Sequence, residues 1–327
     1  MVRFATIGTN IITHEFLSAA AKHPEFRLQA VYSRSVEKAQ AFNQAYGAPL
    51  LFDSLKELAA CPQVDAIYIG STNYVHAPQA LTMLSGGKHV LVEKPAGSNL
   101  REVRAMVDTA KSHGLIFMEA IRNVYQPGYE IIRNNLHKIG AVRRMVAIYC
   151  KYSSRYDAYK NGTLLNAFRT ELSNSALMDI GVYCIHPMVK LLGMPDSVTA
   201  TSTLLHTGFE GAGTVILNYR DKQGVALYSK IVNSALPSEI QGEKGSIIMP
   251  HITRLAGSYI QYNDGTQEPL PIPQEEDGMY HQVRAFLDAI AGRLDTAKSD
   301  QASLDEAAVM EEARQQTGIH FPADDAR

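Results

Sequence analysis

Over the first 120 positions, short apolar runs alternate with amphipathic stretches at intervals of roughly twenty residues, the repeat expected of βαβ units. The runs fall at 3–7, 28–32, 50–52, 66–69, 89–92 and 115–118. Between them, Ser54-Leu55-Lys56-Glu57 and Asn99-Leu100-Arg101-Glu102 each place a glutamate three residues after a capping side chain, the mark of a helix start. His113-Gly114 ends the fifth helix on a residue suited to left-handed backbone. The pattern predicts an α/β fold opening with a doubly wound parallel sheet over 1–120.

After residue 118 the pattern changes. A helix is expected at about 128–137, a long strand over 140–152 with a polar loop beyond, and a helix over 175–193. Apolar runs at 197–205, 213–220, 225–232, 238–241, 246–249 and 258–262 then predict a mostly antiparallel sheet. Asn263-Asp264-Gly265 supplies a hairpin turn. Helices at 279–291 and 304–317 close the chain, the second with Ser303 as its cap and Gly318 as its stop. The second domain is therefore expected to take all of 121–327.

In a doubly wound sheet, ligands meet the carboxyl ends of the strands, so the strand ends carry the candidate chemistry. The first turn reads Gly8-Thr9-Asn10-Ile11-Ile12-Thr13. Of the dinucleotide fingerprint G-x-G-x-x-G it keeps only the first glycine; Asn10 takes the second place as a residue that tolerates left-handed backbone. Thr13 takes the third, which is expected to set the helix slightly farther from its strand. The helix N-terminus still offers N–H groups to a phosphate. At the end of strand two, where an acid would hold the ribose of NAD, the chain reads Tyr32-Ser33-Arg34-Ser35. A hydroxyl and a guanidinium suit a 2′-phosphate, with Lys38 expected one helical turn from Arg34, so NADP is favoured and NAD is the alternative.

Ser71, Thr72, Asn73 and His76 follow strand four, and Glu93-Lys94-Pro95 ends strand five. Proline fixes the backbone there and aims Glu93 and Lys94 at the same edge. In the second half, Asp179, Tyr183 and His186 are spaced to share one helix face, with a kink expected at Pro187. A tyrosine near a cation can take the proton that leaves when a C–OH is oxidised. Lys94, Tyr183 and Asp179 are therefore the catalytic candidates. Arg122, Tyr125, Tyr156, Arg169, Tyr183 and His186 are the substrate-binding candidates.

With these residues placed, the chain resembles the glucose–fructose oxidoreductase/inositol dehydrogenase (Gfo/Idh/MocA) family over nearly its whole length. Glu93-Lys94-Pro95 is the most specific mark. Asn73 and His76 match the family's Thr-Pro-Asn-x-x-His, from which Ser71 and Thr72 depart. The resemblance implies NAD(P)-dependent oxidation or reduction of a sugar, polyol or diol carbinol. It also implies Lys94 as the catalytic lysine, a cis Lys94–Pro95 bond and dimerisation through the second sheet. The family's Asp-x-Gly-x-His carries tyrosine here at 183. That departure resembles the branch of dimeric dihydrodiol dehydrogenase and NADP-dependent xylose dehydrogenase, and points away from a cyclitol substrate.

Composition narrows the alternatives. The 327 residues are 46% hydrophobic and 20% charged with a net charge of −2, the profile of an ordinary globular protein. No basic block exists to hold nucleic acid, and no apolar run approaches the roughly 18 residues of a membrane span. His14 and Glu15 interrupt the N-terminal apolar run, so it is a strand rather than a leader. Cys61, Cys150 and Cys184 form no close pair and suit the cytoplasm; no metal-ligand spacing occurs, so no metal is expected. A non-catalytic nucleotide sensor with this fold is the competing function. It has no need of both Lys94 and Tyr183.

Overall fold

The computed structural model describes residues 1–273 and 278–325. The chain forms two compact units, Met1–Ala120 with Met279–Leu304, and Ile121–Gly278 with Asp305–Arg327.

In the first unit β1 (Val2–Ile7), α1 (Ile11–Ala20), β2 (Phe26–Tyr32), α2 (Val36–Asn43), β3 (Leu50–Phe52) and α3 (Leu55–Ala60) lead into β4 (Ala66–Ile69), α4 (His76–Ser85), β5 (His89–Glu93), α5 (Leu100–Ser112) and β6 (Phe117–Ala120). The strands are parallel in the order β3-β2-β1-β4-β5-β6, the doubly wound arrangement with a crossover at β1 and β4. Ser54 and Asn99 cap α3 and α5 as expected, accepting from the N–H of Glu57 and Glu102. Val90, Leu91 and Val92 are fully buried in β5, each worth about 1.5–3 kcal/mol. That burial fixes the strand whose last residue precedes Lys94.

The second unit contains α6 (Pro127–Asn135), β7 (Val142–Cys150), α7 (Tyr156–Lys160), a π-helical turn (Leu177–Gly181) and α8 (Val182–Leu192). After these come β8 (Ser197–Leu204), β9 (Glu210–Asn218), β10 (Gln223–Ser229), β11 (Ser238–Gly242), β12 (Gly245–Met249), β13 (Tyr259–Tyr262) and β14 (Gln267–Pro269). The sheet order is β14-β13-β12-β11-β7-β10-β9-β8, antiparallel throughout except between β7 and β10. One face packs Met145, Ala147, Val215, Leu217 and Ala226 against Ile132, Ile185 and Met188 of α6 and α8. The chain ends with α9 (Gly278–Ile290), α10 (Ala297–Gln316) and α11 (Pro322–Asp325).

Several expectations need correction. Residues 279–304 belong to the first unit, not the second. The reason is the buried face of α9: Phe286 lies 5.9 Å from the Phe4 ring, and Tyr280 stacks on His23 at 4.1 Å. Ser303 does not cap the last helix, because α10 already begins at Ala297, whose N–H donates to Asp295 Oδ1 at 3.0 Å. The Ser303 hydroxyl instead donates to Glu119 at 2.7 Å. The stretch after β7 holds α7, and the hairpin turn at Gly265 (φ 92°) leads into β14, which the apolar pattern did not reveal. Thr170–Leu192 is long and apolar enough to resemble a membrane span, but 72% of its apolar window is buried in the protein, as befits a core helix.

Candidate active site

At the first strand end, Gly8 adopts φ 109°, and a Cβ there would lie 2.7 Å from Gly70 O. Only glycine fits, and the turn stays bare where a pyrophosphate would approach. Asn10 is not left-handed, contrary to the expectation: its backbone is extended (φ −93°) and it caps α1. Its Oδ1 accepts from Thr13 N–H at 3.3 Å, and its Nδ2 donates to Gly70 O at 2.6 Å. The space a third fingerprint glycine would supply comes from Gly70, where a Cβ would meet Thr13 Oγ1 at 2.9 Å. Thr9 and exposed Ile11 complete the turn, and the first N–H groups of α1 have no intrahelical acceptor. The cradle therefore fits a dinucleotide.

At the end of β2, Ser33 is buried and its N–H donates to Phe52 O at 3.1 Å. Ser35 caps α2 by accepting from Lys38 N–H at 3.3 Å. Arg34 therefore precedes the helix, and the helical spacing expected between Arg34 and Lys38 does not hold. Both side chains are nonetheless exposed at this strand end.

Beyond β4, the Ser71 hydroxyl donates to Gln79 Oε1 at 2.6 Å, Thr72 precedes a 3-10 turn, and Asn73 begins it. His76 is 1% exposed, and its ring lies between Pro95 O (2.9 Å) and Ser71 O (3.2 Å). It braces the corner from inside instead of lining the nucleotide site. Burial lowers its pKa, against the pull of the two carbonyls. Lys94–Pro95 is cis, as the family resemblance implied. Glu93 is likewise buried, accepting from Tyr68 O–H at 2.8 Å, while Lys94 is half-buried. Glu119 is a residue the sequence reading missed: its Oε1 accepts from Ala96 N–H at 2.8 Å and holds the chain just past the cis bond. Apart from Glu93 and His76, the cofactor candidates thus gather at one edge of the sheet.

In the second unit, Ser175 Oγ accepts from Met178 N–H (3.2 Å) at the entry to the π turn that carries Asp179. Such turns widen the helix and change its phase, so Asp179 and Tyr183 are not α-helical neighbours. Their surroundings differ. Asp179 Oδ2 pairs with Lys230 Nζ at 2.8 Å. Tyr183 meets Tyr149 edge-on at 5.6 Å between centroids. His186 is 1% exposed with Nδ1 on Glu306 Oε2, and burial holds its pKa well below the usual value. Its expected place on a shared substrate face is corrected by that inward bond. Pro187 lies within α8 and lacks the N–H that would reach Tyr183 O. Asn123 Nδ2 donates to that carbonyl instead, at 3.0 Å.

The remaining substrate candidates fall in two places. Arg122 opens a 3-10 turn that Tyr125 closes, with Lys190 Nζ 4.9 Å above the Tyr125 ring. Burial pushes Lys190 down to about 8. Tyr156 begins α7 and stacks against Phe168 at 5.9 Å. Arg169 donates to Glu171 (3.3 Å) and Leu164 O (3.4 Å). Lys230, Asn123 and Glu119 are visible only once the chain is folded, since no local motif marks any of them.

Residues 2–121 match the sequence model of the Gfo/Idh/MocA oxidoreductase family with its NAD-binding Rossmann fold, and 133–248 match the family's C-terminal domain. Over the full length of both chains, the protein is 47% identical to scyllo-inositol 2-dehydrogenase (NADP(+)) IolU of Bacillus subtilis. It is 30% identical to trans-1,2-dihydrobenzene-1,2-diol dehydrogenase of Xenopus laevis, covering 98% of this chain and 99% of the other. The fold matches KijD10, a 3-ketoreductase of Actinomadura kijaniata in complex with NADP and TDP-benzene, with TM-score 0.85 at 22% identity over 98% of this chain and 99% of that one. The chain belongs to the Gfo/Idh/MocA family of NAD(P)-dependent oxidoreductases acting on CH–OH groups.

Proposed function

We propose that the protein transfers a hydride between NADP and a carbinol carbon of a sugar, polyol, cyclitol or diol. The observation that carries this reading is the braced corner after β5: a buried strand, Glu93 on Tyr68 and Glu119 on Ala96 all serve to fix Lys94. Preference for NADP rests on Ser33 and exposed Arg34 in place of an acid, and agrees with the cofactor named for the Bacillus relative. Tyrosine at 183 pointed away from cyclitols. A relative nearly half identical is named for scyllo-inositol, so cyclitols return to the proposed class.

Gly8, Thr9, Asn10 and Ile11 would hold the pyrophosphate, with Ser33, Arg34 and Lys38 at the 2′-phosphate and Ser71, Thr72, Asn73 and Lys94 toward the ribose. The bound nicotinamide supplies the hydride acceptor or donor. In oxidation, the Tyr183 phenol oxygen takes the hydroxyl proton, Lys94 stabilises the phenolate and alkoxide charge, and Asp179 orients the substrate. Reduction reverses these proton movements. Purified protein is to be assayed for NADPH formation with scyllo-inositol, myo-inositol, aldoses and trans-diols. Turnover with at least one of them, and a preference for NADP over NAD, is expected; no turnover with any, or a preference for NAD, rejects the reading.

We also propose a homodimer formed through the second face of the eight-stranded sheet. Paired neighbours Val146, Val225 and Ile216, with Ile148 and Leu227 alongside, are half-buried aliphatics on the face opposite the core. Light scattering at micromolar concentration is expected to give twice the chain mass, and a monomer contradicts this. Cys61, Cys150 and Cys184 are free thiols, which supports a reducing compartment such as the cytoplasm.

A further inference from the structure

Lys230 follows β10 and is 2% exposed. Its Nζ donates to Asp179 Oδ2 at 2.8 Å and to Ala167 O at 2.7 Å. The faces of Phe168 and Phe209 lie 4.8 and 5.4 Å from the ammonium. Its backbone is tied on both sides: its N–H donates to Gly211 O, and its carbonyl accepts from Ser153 N–H, each at 2.8 Å. Beside it, buried Glu210 accepts from Leu177 N–H at 2.8 Å, at the first residue of the π turn. The same carboxylate accepts from Ser202 (2.6 Å) and Tyr228 (2.8 Å). One corner of the sheet therefore grips the π turn at its amide through Glu210 and at its carboxylate through Lys230.

An ion pair in such a place is a poor way to gain stability. An apolar side chain of similar volume usually packs there at no loss, whereas removing one partner strands the other charge. The asymmetry of exposure shows what the pair does. The Asp179 side chain is 36% exposed, while that of Lys230 is 3% exposed. Only the carboxylate can reach a substrate, and the ammonium can act only through it.

We propose that Lys230 is a positioning residue for the reaction: it fixes the Asp179 carboxylate in place and ties it, through Ala167 O, to the aromatic segment around Phe168. This rests on the role given to Asp179 above. Without Lys230 the π turn still forms on Glu210, but Asp179 loses the ammonium that fixes its orientation, and turnover suffers more than folding. An error of about 1 Å in such a group is enough to slow a reaction about 10²-fold.

The test compares Lys230→Met, Asp179→Asn and the double variant in the whole protein, reading kcat, KM, NADP affinity and melting temperature. Lys230→Met is expected to lower kcat by about 10–100-fold while KM and NADP affinity stay within about threefold. Asp179→Asn alone should lower the melting temperature, because it leaves a buried ammonium without its counter-charge. The double variant should melt at or above wild type and turn over no slower than Asp179→Asn within about threefold, the non-additivity expected of residues that act as one unit. Full turnover in Lys230→Met overturns the proposal, as does a double variant whose losses simply add. A fall in kcat that merely tracks loss of folded protein overturns it too. These outcomes are separable from failure of the proton-transfer reading: if Tyr183→Phe keeps full turnover while Lys230→Met loses it, Tyr183 is misassigned and the role of Lys230 stands.

Discussion

The two units build their functional groups in opposite ways. In the first, the candidates cluster at strand ends: Gly8 after β1, Ser33 after β2, Ser71 just past β4 and Lys94 after β5. The parallel sheet brings those ends to one edge, so a few residues of backbone suffice to present each group. In the second, the three candidates around the π turn and α8 depend on partners far along the chain: Tyr183 O on Asn123, Asp179 on Lys230, His186 on Glu306. Topology positions the chemistry in one case, and side-chain pairing does so in the other. Substitutions in the first unit should therefore act through single residues, and those in the second through pairs.

The largest expected effect in the first unit is at Lys94. Lys94→Ala should lower turnover by at least about 10²-fold with NADP still bound, as for loss of a group that stabilises charge only in the transition state. Steady-state kinetics beside a nucleotide fluorescence titration checks this; a loss confined to nucleotide affinity would move Lys94 out of the chemistry. Gly8→Ala comes next. The close approach to Gly70 O and the positive φ together should distort the turn and weaken NADP and NAD binding alike by at least about tenfold, from about 1–3 kcal/mol of strain. Unchanged nucleotide affinity would show that the bare turn is not the phosphate site.

Arg34→Ala should be more selective, weakening NADP by about 1–3 kcal/mol and leaving NAD nearly unaltered. Equal losses for both would detach Arg34 from the 2′-phosphate. The smallest effect concerns pH. His23, His76, His89 and His186 all have pKa values lowered chiefly by burial. Each binds a proton more readily when unfolded, so stability is whole above the unfolded pKa of about 6.5 and is lost as pH falls below it. The melting temperature should drop between pH 7 and pH 5, and His76→Asn should show a shallower drop. Parallel slopes would mean that His76 takes no part.

The same contrast explains what could be read before folding. Strand ends, the caps at Ser54 and Asn99 and the Glu93-Lys94-Pro95 corner are local signals, and the structure keeps them. Ser303 failed as a cap because the same pattern occurs inside a longer helix, where its hydroxyl serves Glu119. Asn10 stands in the turn for a reason other than left-handed backbone, since it is extended and caps α1, and the space of the third fingerprint glycine comes from Gly70 on another strand end. His186 carried the spacing of a site residue but turns inward to Glu306. Lys230 and Asn123 carry no motif because their function exists only in the folded pairing.

Tyr183 is the centre of the proposed proton transfer. Tyr183→Phe keeps the ring against Tyr149 and removes only the oxygen that carries the proton. Turnover of the best polyol substrate should then fall about 10²–10⁴-fold while NADP affinity and melting temperature stay at wild-type values. Near-normal turnover in that variant, with substrate and NADP bound as before, would contradict it.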